Sequence, residues 1–306
     1  MRRNLTSGVD HMFIFVDADE DAFADLSNHK NVTLIPTDSR YWGEERPDSL
    51  NTRQKINANL INCLLSACGG ARWLFGIDGD ECLEIDKSKV LGLGLDVRYV
   101  RLLPLEAASQ ENCHGEVKYF KRLLSIEDLR LLAMLGVIKA ARNHAYFRGH
   151  VNGKIGVRPS PYVNLHTHKV AFRGDVSPVP LEADFLRLLH YESYCYEEFV
   201  RKWSAHLEHG VSAGFRAQRR PIADAVLSVL TNAGMSGDRK THYLRRIYKR
   251  EVEDDVRTLV DLGFLNEMSQ ELHEYAPISF SVDQAGVIAT AMPCLIGGRQ
   301  GGVRPG

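Results

Sequence analysis

The chain has 306 residues, of which 44% are hydrophobic and 25% are charged, as in ordinary globular proteins. Its 38 Lys and Arg residues nearly balance 39 Asp and Glu residues, so the net charge of −1 gives no general attraction to nucleic acid, and we expect no such partner. The start of the chain shows no signal peptide, and no apolar run approaches the roughly 18 residues of a transmembrane segment.

Strand-like and helix-like segments alternate over the first two-thirds of the chain. The first four segments predict, in order, a strand, a short helix, a strand and a polar loop: 11–16, 22–26, 32–35 and 37–49. A longer helix follows, with apolar residues at helical spacing: Ile56, Leu60, Leu64 and Ala67. Gly69-Gly70 ends this predicted helix.

The remaining segments predict more strands and then a helical region. Strands are expected at 73–77, 97–103 and 186–191, the last of these being the final strand, with a β-like, His-rich region at 146–170. Ser125 resembles the N-cap of a helix that reaches residue 135. Residues 106–116 are polar and predict a loop, and long charged helices are expected from 224 to 265.

This alternation predicts an α/β fold in which ligands bind beyond the carboxyl ends of the strands. We expect a catalytic domain over 1–205, a helical C-terminal extension over 206–296, and a disordered tail over 297–306, which contains five glycines. Six cysteines lack any C-x-x-C pair or zinc-ligand spacing, so we expect a reducing, cytoplasmic setting.

The most informative stretch is 72–81, an apolar strand that runs into Asp78-Gly79-Asp80-Glu81. Alternation along an extended chain places Asp78 and Asp80 on the same side. Two carboxylates at the open end of a buried strand suit Mg²⁺ or Mn²⁺ bound together with substrate phosphates. A solvated turn at the end of the strand is the alternative that this pattern alone leaves open.

Five segments of the chain resemble motifs of the glycosyltransferase family 2 branch related to family 92, and they occur in the same order along the chain as in that family. Residues 73–83 resemble its "W…iDxDEfl" signature. The other four similarities are Gly8-Val9-Asp10-His11 leading to Asp17, Arg53-Gln54, 153–159 followed by His166, and His190-Tyr191 followed by Glu197-Glu198-Phe199 and Lys202. The match spans about residues 8–203.

The resemblance implies a GT-A fold, a Rossmann-like mixed sheet flanked by helices. It implies metal-dependent transfer of a sugar from a UDP- or GDP-sugar donor to a glycan, lipid-linked or other hydroxyl acceptor. A bound Mn²⁺ or Mg²⁺ would stabilise the charge that develops on the leaving nucleoside diphosphate.

The resemblance also assigns residues to roles. The expected catalytic residues are Asp78, Asp80 and Glu81. The expected metal ligands are Asp78, Asp80 and His190, with His166 as the second choice for the histidine. The expected donor-binding residues are Asp17, Arg53, Asp78 and Lys154. Three loop carboxylates remain open as the general base for the acceptor: Glu111, Glu116 and Asp175.

Three departures from the family pattern favour a catalytically degenerate glycan- or partner-binding protein as the alternative. Cys195 replaces the serine that follows "HY", and Tyr194 replaces a basic residue. The acidic cluster 17–21 lacks the serine and glycine of the family turn. The family's first strand, expected between the strands that end at Asp17 and Asp78, is absent here, and this predicts a truncated start. A HAD-type phosphatase is disfavoured because Cys82 replaces the Thr or Val that its motif expects.

Two further expectations concern membranes. The protein is expected to have no transmembrane segment, and peripheral contact with the inner membrane face is considered because one predicted helix is basic. Its basic residues are Arg239, Lys240, Arg245, Arg246, Lys249 and Arg250. Interspersed acidic residues at 251 and 253–255 favour a solvated helix instead.

Overall fold

The computed structural model describes residues 2–17, 29–112, 117–173, 178–208 and 220–268. The helix expected at 22–26, the tail 297–306, Glu116 and Asp175 lie outside the described residues.

The strands of the structure are labelled in chain order, and all but β4, β6 and β11 overlap or adjoin a predicted strand or the β-like region. They are β1 (Met12–Val16), β2 (Val32–Pro36), β3 (Leu74–Phe75), β4 (Glu81–Ile85), β5 (Tyr99–Ala107), β6 (Tyr119–Lys121), β7 (Lys154–Val157), β8 (Val163–Leu165), β9 (Val170–Phe172), β10 (Leu186–His190) and β11 (Leu265–Glu267).

The helices begin and end with recognisable local signals. They are α1 (Arg2–Thr6), α2 (Ser39–Trp42), α3 (Leu50–Cys68), α4 (Lys87–Gly92), α5 (Ile126–Met134), α6 (Asn143–Tyr146), α7 (Tyr196–Glu208), α8 (Arg220–Thr231), α9 (Gly237–Glu251) and α10 (Val256–Asp261). Gly69 ends α3 in the left-handed conformation at a φ of 71°, which glycine adopts without strain. The Ser125 side chain accepts the Asp128 N–H and begins α5.

A seven-stranded mixed sheet forms the centre of the molecule, so the α/β class is confirmed. β5 pairs in parallel with β10, and β10 pairs antiparallel with β4. On its other side, β5 pairs with β7 through its first half and with β6 at its end. β3 extends the sheet beyond β7, and β11 extends it beyond β6.

The β5–β10 pair lies in the core. Leu102 of β5 and Leu188 and Leu189 of β10 are completely buried. Strands that are covered on both faces are rich in apolar residues, and β10 follows this rule at Leu186, Leu188 and Leu189, while Arg187 is only half-buried.

β1 and β2 form a separate parallel pair among the described strands. The buried face of α3, with Ile61, Leu64 and Leu65, packs against Ile35 of β2 and against partly buried apolar residues of β1 and β3. α3 therefore spans from the small sheet to the large one.

The C-terminal helices pack together and onto the sheet domain. Leu244 and Tyr248 of the basic helix α9 are buried, while Arg245 and Lys249 bind the Glu111 carboxylate at 2.9 and 2.6 Å. In the described part of the chain, no helix is both long and apolar enough to cross a bilayer.

Four sequence predictions about elements are wrong. The segment 37–49, expected to be a polar loop, contains the short helix α2 (Ser39–Trp42), which begins because the Asp38 side chain accepts the Arg40 and Tyr41 N–H groups. β5 continues to Ala107, so Glu106 lies in a strand rather than in a loop, and it is fully buried because Lys121 compensates its charge at 2.9 Å. β11 follows the strand that was expected to be the last. The strand before Asp78 ends at Phe75, and residues 79–80 form a turn, so strand alternation does not orient Asp78 and Asp80.

Candidate functional site

The carboxyl ends of three parallel strands meet at one edge of the large sheet. β3 and β5 both run antiparallel to β7, and β10 runs parallel to β5. Asp78 follows β3, while Glu106 and His190 lie at the ends of β5 and β10. This edge is where open α/β sheets bind ligands.

Two strands that run in the opposite direction begin at this same edge. β4 begins with Glu81, which lies opposite His190, and β7 begins with Lys154, opposite Leu102. The ends of these five strands therefore bring five ionisable side chains to one edge of the sheet: Asp78, Glu81, Glu106, Lys154 and His190.

Asp78 is held by neighbours on both carboxylate oxygens. Gln54 Nε2 donates to Oδ1 at 2.8 Å, and Lys154 Nζ lies 2.8 Å from Oδ2. The Asp78 backbone N–H donates to Glu81 Oε2 at 2.6 Å. These contacts fix the turn and direct Asp78 towards Lys154.

Asp80 faces a different set of partners. Its backbone carbonyl accepts the Tyr191 N–H at 2.9 Å, and its Oδ2 lies 2.9 Å from Lys202 Nζ and 3.7 Å from His190 Nε2. Burial alone would raise the pKa of Asp80, but the contact with His190 and the charge of Lys202 outweigh it. The pKa of this carboxyl is therefore held well below its usual range.

His190 lies among three carboxylates. Nε2 is 3.7 Å from Asp80 Oδ2 and 3.8 Å from Glu192 Oε2, while Nδ1 is 3.8 Å from Glu106 Oε2. Burial would lower the pKa of His190, but these negative charges raise it to about 9. Nδ1 is buried and has no hydrogen-bond partner among the described residues.

Glu81 is, like Glu106, a buried carboxylate of this edge. His150 Nε2 lies 2.6 Å from Oε1, and Lys154 lies 3.6 Å from Oε2. Burial would raise the pKa of Glu81, yet the bond with His150 and the charge of Lys154 lower it. The His150 ring stacks on His190 with a centroid distance of 4.9 Å.

A buried ion network around Glu106 lies next to His190. The Glu106 carboxylate accepts the backbone N–H groups of Arg148, at 2.6 Å, and Gly149. Lys121 Nζ joins Glu106, at 2.9 Å, to Asp254, at 2.8 Å. Glu106 is therefore fixed behind His190 by charge and by main-chain hydrogen bonds.

Two groups of described residues could hold a metal ion, and they share His190. One is Asp80, His190 and Glu192, and the other is Glu81, His150 and His190. The Asp80 side chain is 30% exposed, whereas the Glu81 side chain is fully buried. A metal that meets a substrate needs an open position, so we take the first group as the candidate metal centre.

The ligand chemistry of this group fits Mn²⁺ or Mg²⁺, because two carboxylates and one imidazole are available. The buried Nδ1 of His190, with Glu106 nearby, fits a metal-bound imidazole whose other nitrogen faces a carboxylate. Lys202 Nζ already lies 2.9 Å from Asp80 and 2.6 Å from Glu192. A metal ion would therefore compete with this ammonium group.

A cavity of about 1030 Å³ opens beside the carboxylate turn. The expected donor-binding residues all line it: Asp17, Arg53, Asp78 and Lys154. Asp17 pairs with Arg46 and lies 3.7 Å from Arg53. His166 also lines this cavity, but it belongs to neither metal-ligand group of the described residues.

Several residues of the site were not singled out in the sequence. Glu192 follows His190 by two positions, a spacing that could have suggested a second ligand. His150 lies in the predicted His-rich region. Lys202 belongs to a segment that resembles a family motif, but no role was predicted for it. Glu111, one of the carboxylates considered as a base, is bound by Lys249 and Arg245, whose hydrogen bonds lower its pKa and make it a weak base.

Comparisons of this chain with models of protein families, with curated proteins and with solved structures find no match.

Proposed function

We propose that this protein is a metal-dependent glycosyltransferase of GT-A type. It would transfer a sugar from a UDP- or GDP-sugar to a hydroxyl of a glycan or lipid-linked acceptor. The observation that supports this most is the position of Asp80, His190 and Glu192 beside the turn that borders a large cavity lined by Arg53 and Lys154.

Two of the residues that line the cavity, Arg53 and Lys154, are positively charged and can bind the phosphates of a nucleoside diphosphate. Lys154 is almost fully buried and directs its ammonium group at Asp78, so it can bind a phosphate with little loss of side-chain freedom. Arg53 supplies a second cation, and Asp17 offers carboxylate oxygens to ribose or base. These residues would orient the donor with its diphosphate towards Asp80.

The metal would be held by oxygen atoms of Asp80 and Glu192 and by a nitrogen of His190. When bound, it would supply a positive charge that stabilises the leaving diphosphate. The imidazole ligand favours Mn²⁺ over Mg²⁺. Glu106 would orient the imidazole, because its own position is fixed by Lys121 and by two backbone N–H groups.

One observation favours the alternative, a non-catalytic module that binds a glycan or a partner. Asp80 and Glu192 already have a counter-charge in Lys202, and His190 with a pKa of about 9 carries a second positive charge at neutral pH. In that case the site would need no divalent cation.

Calorimetric titration of the full-length protein with UDP and with GDP, each with and without Mn²⁺, distinguishes the two functions. An enzyme of the proposed type should bind one nucleotide at least about tenfold more tightly with Mn²⁺, a gain of about 1.4 kcal/mol. A screen of UDP- and GDP-sugars should then show Mn²⁺-dependent release of that nucleoside diphosphate.

Asp80→Asn should abolish both the Mn²⁺ dependence and the release. Asp184→Asn is the matched control, since the Asp184 side chain is 99% exposed and pairs with Arg187 on the surface. Nucleotide binding that ignores Mn²⁺, or turnover that survives in Asp80→Asn, would contradict the proposal.

A further inference from the structure

Three large apolar side chains are exposed together at the end of α5. Leu131, Met134 and Leu135 are three and four residues apart, so they lie on one face of the helix. Met134 is 86% exposed and Leu135 is 54% exposed, whereas Leu129 and Leu132 on the other face are buried. We call Leu131, Met134 and Leu135 the apolar tip of α5.

The apolar tip is held in place by the core behind it. Gly136 follows it in the left-handed conformation at a φ of 73°, and the Val137 N–H donates to the Leu132 carbonyl at 2.9 Å. The Leu132 side chain is completely buried, in one cluster with Leu259 of α10. The tip is therefore a fixed part of the surface.

The chain around the apolar tip is basic. Residues 129–174 contain no Asp or Glu. Arg130, which adjoins the tip, and Lys139 and Arg142, which follow it, are all exposed. Lys139 pairs with Glu251 of α9, whereas Arg130 and Arg142 have no ion-pair partner in the described part of the chain.

The acidic residues closest to this surface do not cancel its positive charge. Glu127 and Asp128 lie in the first turn of α5, at the end of the helix away from the tip, where they interact favourably with the helix dipole. Glu251 is contacted by Arg250 as well as by Lys139.

The basic helix α9, considered above for membrane contact, is less suited to it than α5. Arg245 and Lys249 of α9 are bound by Glu111, and its large side chains Leu244 and Tyr248 are buried. Two of its cations are therefore engaged within the protein. The end of α5 combines exposed apolar side chains with exposed cations.

We propose that the apolar tip of α5 docks on the surface of a membrane that contains anionic lipid. Leu131, Met134 and Leu135 would enter the boundary between the headgroups and the acyl chains. Arg130 and Arg142 would lie near the negatively charged headgroups.

A second copy of the chain fits this surface less well than a lipid surface does. In a symmetric dimer the same patch of each copy meets its counterpart. Arg130 and Arg142 would then approach the same cations of the other copy, and the repulsion would oppose association. Anionic headgroups complement both the charge and the apolar tip.

This docking goes beyond the proposed activity. It favours the lipid-linked acceptor, a consequence that rests on the proposed function. Binding to vesicles is measured without a nucleotide sugar, so the docking and the activity can fail independently of each other.

Co-sedimentation of the full-length protein with lipid vesicles tests the docking. The protein should bind vesicles that contain equal amounts of phosphatidylcholine and phosphatidylglycerol, and should bind vesicles of phosphatidylcholine alone at least about tenfold more weakly. Met134→Asp places a charge in the apolar tip and should weaken binding to the mixed vesicles at least about tenfold. Leu95→Asp is the matched control, since Leu95 is also 86% exposed but lies in the turn before β5, and it should leave binding unchanged.

The electrostatic part of the docking is tested separately. Replacing both Arg130→Gln and Arg142→Gln should weaken binding to the mixed vesicles and leave the weak binding to phosphatidylcholine unchanged. Added salt should have the same effect on the unmodified protein, because it screens exposed charges.

Three results would overturn the proposal. The first is equal binding to both kinds of vesicle, or binding to neither. The second is a Met134→Asp variant that is folded by circular dichroism and binds the mixed vesicles as tightly as the unmodified protein, which would place the contact elsewhere. The third is a dimer in the absence of vesicles that Met134→Asp separates, which would assign the tip to a second copy of the chain.

Discussion

The strands around β5 and β10 and those around β1 and β3 have similar sequences but different burial. Leu102, Leu188 and Leu189 are fully buried in strands that are paired on both sides. Phe13 and Leu74 are just as hydrophobic and remain half-buried in strands that are paired on one side. In these two regions, strands of equal hydrophobicity therefore differ in how completely their side chains are covered.

The largest predicted effect concerns the fully paired side. Lys121→Met removes the only cation within 3 Å of both Glu106 and Asp254 in the described chain. Removing one partner of a buried ion pair costs about 3–5 kcal/mol because the remaining charge is uncompensated. Urea denaturation monitored by circular dichroism should show this loss in the free energy of unfolding.

Lys118→Met is the matched control for that experiment. Lys118 immediately precedes β6, the strand that ends at Lys121, and it pairs with Glu267, but both side chains are more than half exposed. Exposed ion pairs contribute about 0–1 kcal/mol. Equal losses in the two variants would show that the burial of Lys121 carries no special weight.

Replacing one leucine on each side measures the contrast directly. Leu188→Ala should cost about 2–5 kcal/mol, the usual range for a buried leucine. Leu74→Ala in β3 should cost less than half of that, because solvent already reaches this side chain. A loss at Leu74 as large as that at Leu188 would mean that β3 is fully covered in solution.

The candidate metal ligands Asp80 and Glu192 are both paired with Lys202, which should weaken metal binding. Lys202→Met should increase the affinity for Mn²⁺ about tenfold, or about 1.4 kcal/mol, because an ammonium group no longer competes for Asp80 and Glu192. Calorimetry of Mn²⁺ binding measures this change. Lys139→Met, at a 75% exposed position, should change nothing. A weaker or unchanged Mn²⁺ affinity in Lys202→Met would place the metal elsewhere.

The smallest predicted effect is the contribution of Tyr191, the residue after β10, to the stability of the folded protein at alkaline pH. Burial raises the pKa of Tyr191 from 10.0 to about 12. The unfolded chain therefore loses this proton first, and the stabilising contribution of Tyr191 is present below pH 10 and is lost between pH 10 and 12. Urea denaturation at several alkaline pH values should show a shallower decline for Tyr191→Phe. Parallel declines would contradict this shift.

Local sequence signals predicted most of the elements and part of the site. The periodicity of α3, its end at Gly69 and the cap at Ser125 depend on neighbouring residues, so one stretch of sequence is enough to find them. The four expected donor-binding residues line one cavity, and they come from the end of β1, from α3, from the turn after β3 and from the start of β7. Their roles in binding stay predictions.

The ion network could not be predicted, because its members are remote in sequence. Ser109 and Asp254 are 145 residues apart and share a 2.8 Å hydrogen bond. The sequence around Glu106 does not indicate that Lys121 will neutralise its charge. The charged end of β5 was therefore predicted as part of a polar loop, although it is buried. The turn at Asp80 likewise depends on Tyr191, which belongs to a different part of the chain.

The position of Asp254 has a consequence for how this chain can be shortened. This carboxylate lies beyond α9, within the expected extension 206–296, yet it binds the side chains of Lys121 and Arg148 in the sheet domain. A protein cut after residue 205 would keep both basic groups and lose their shared anion. The sheet domain therefore cannot be separated from the terminal helices without loss, because Asp254 supplies a counter-charge to the buried ion network next to His190.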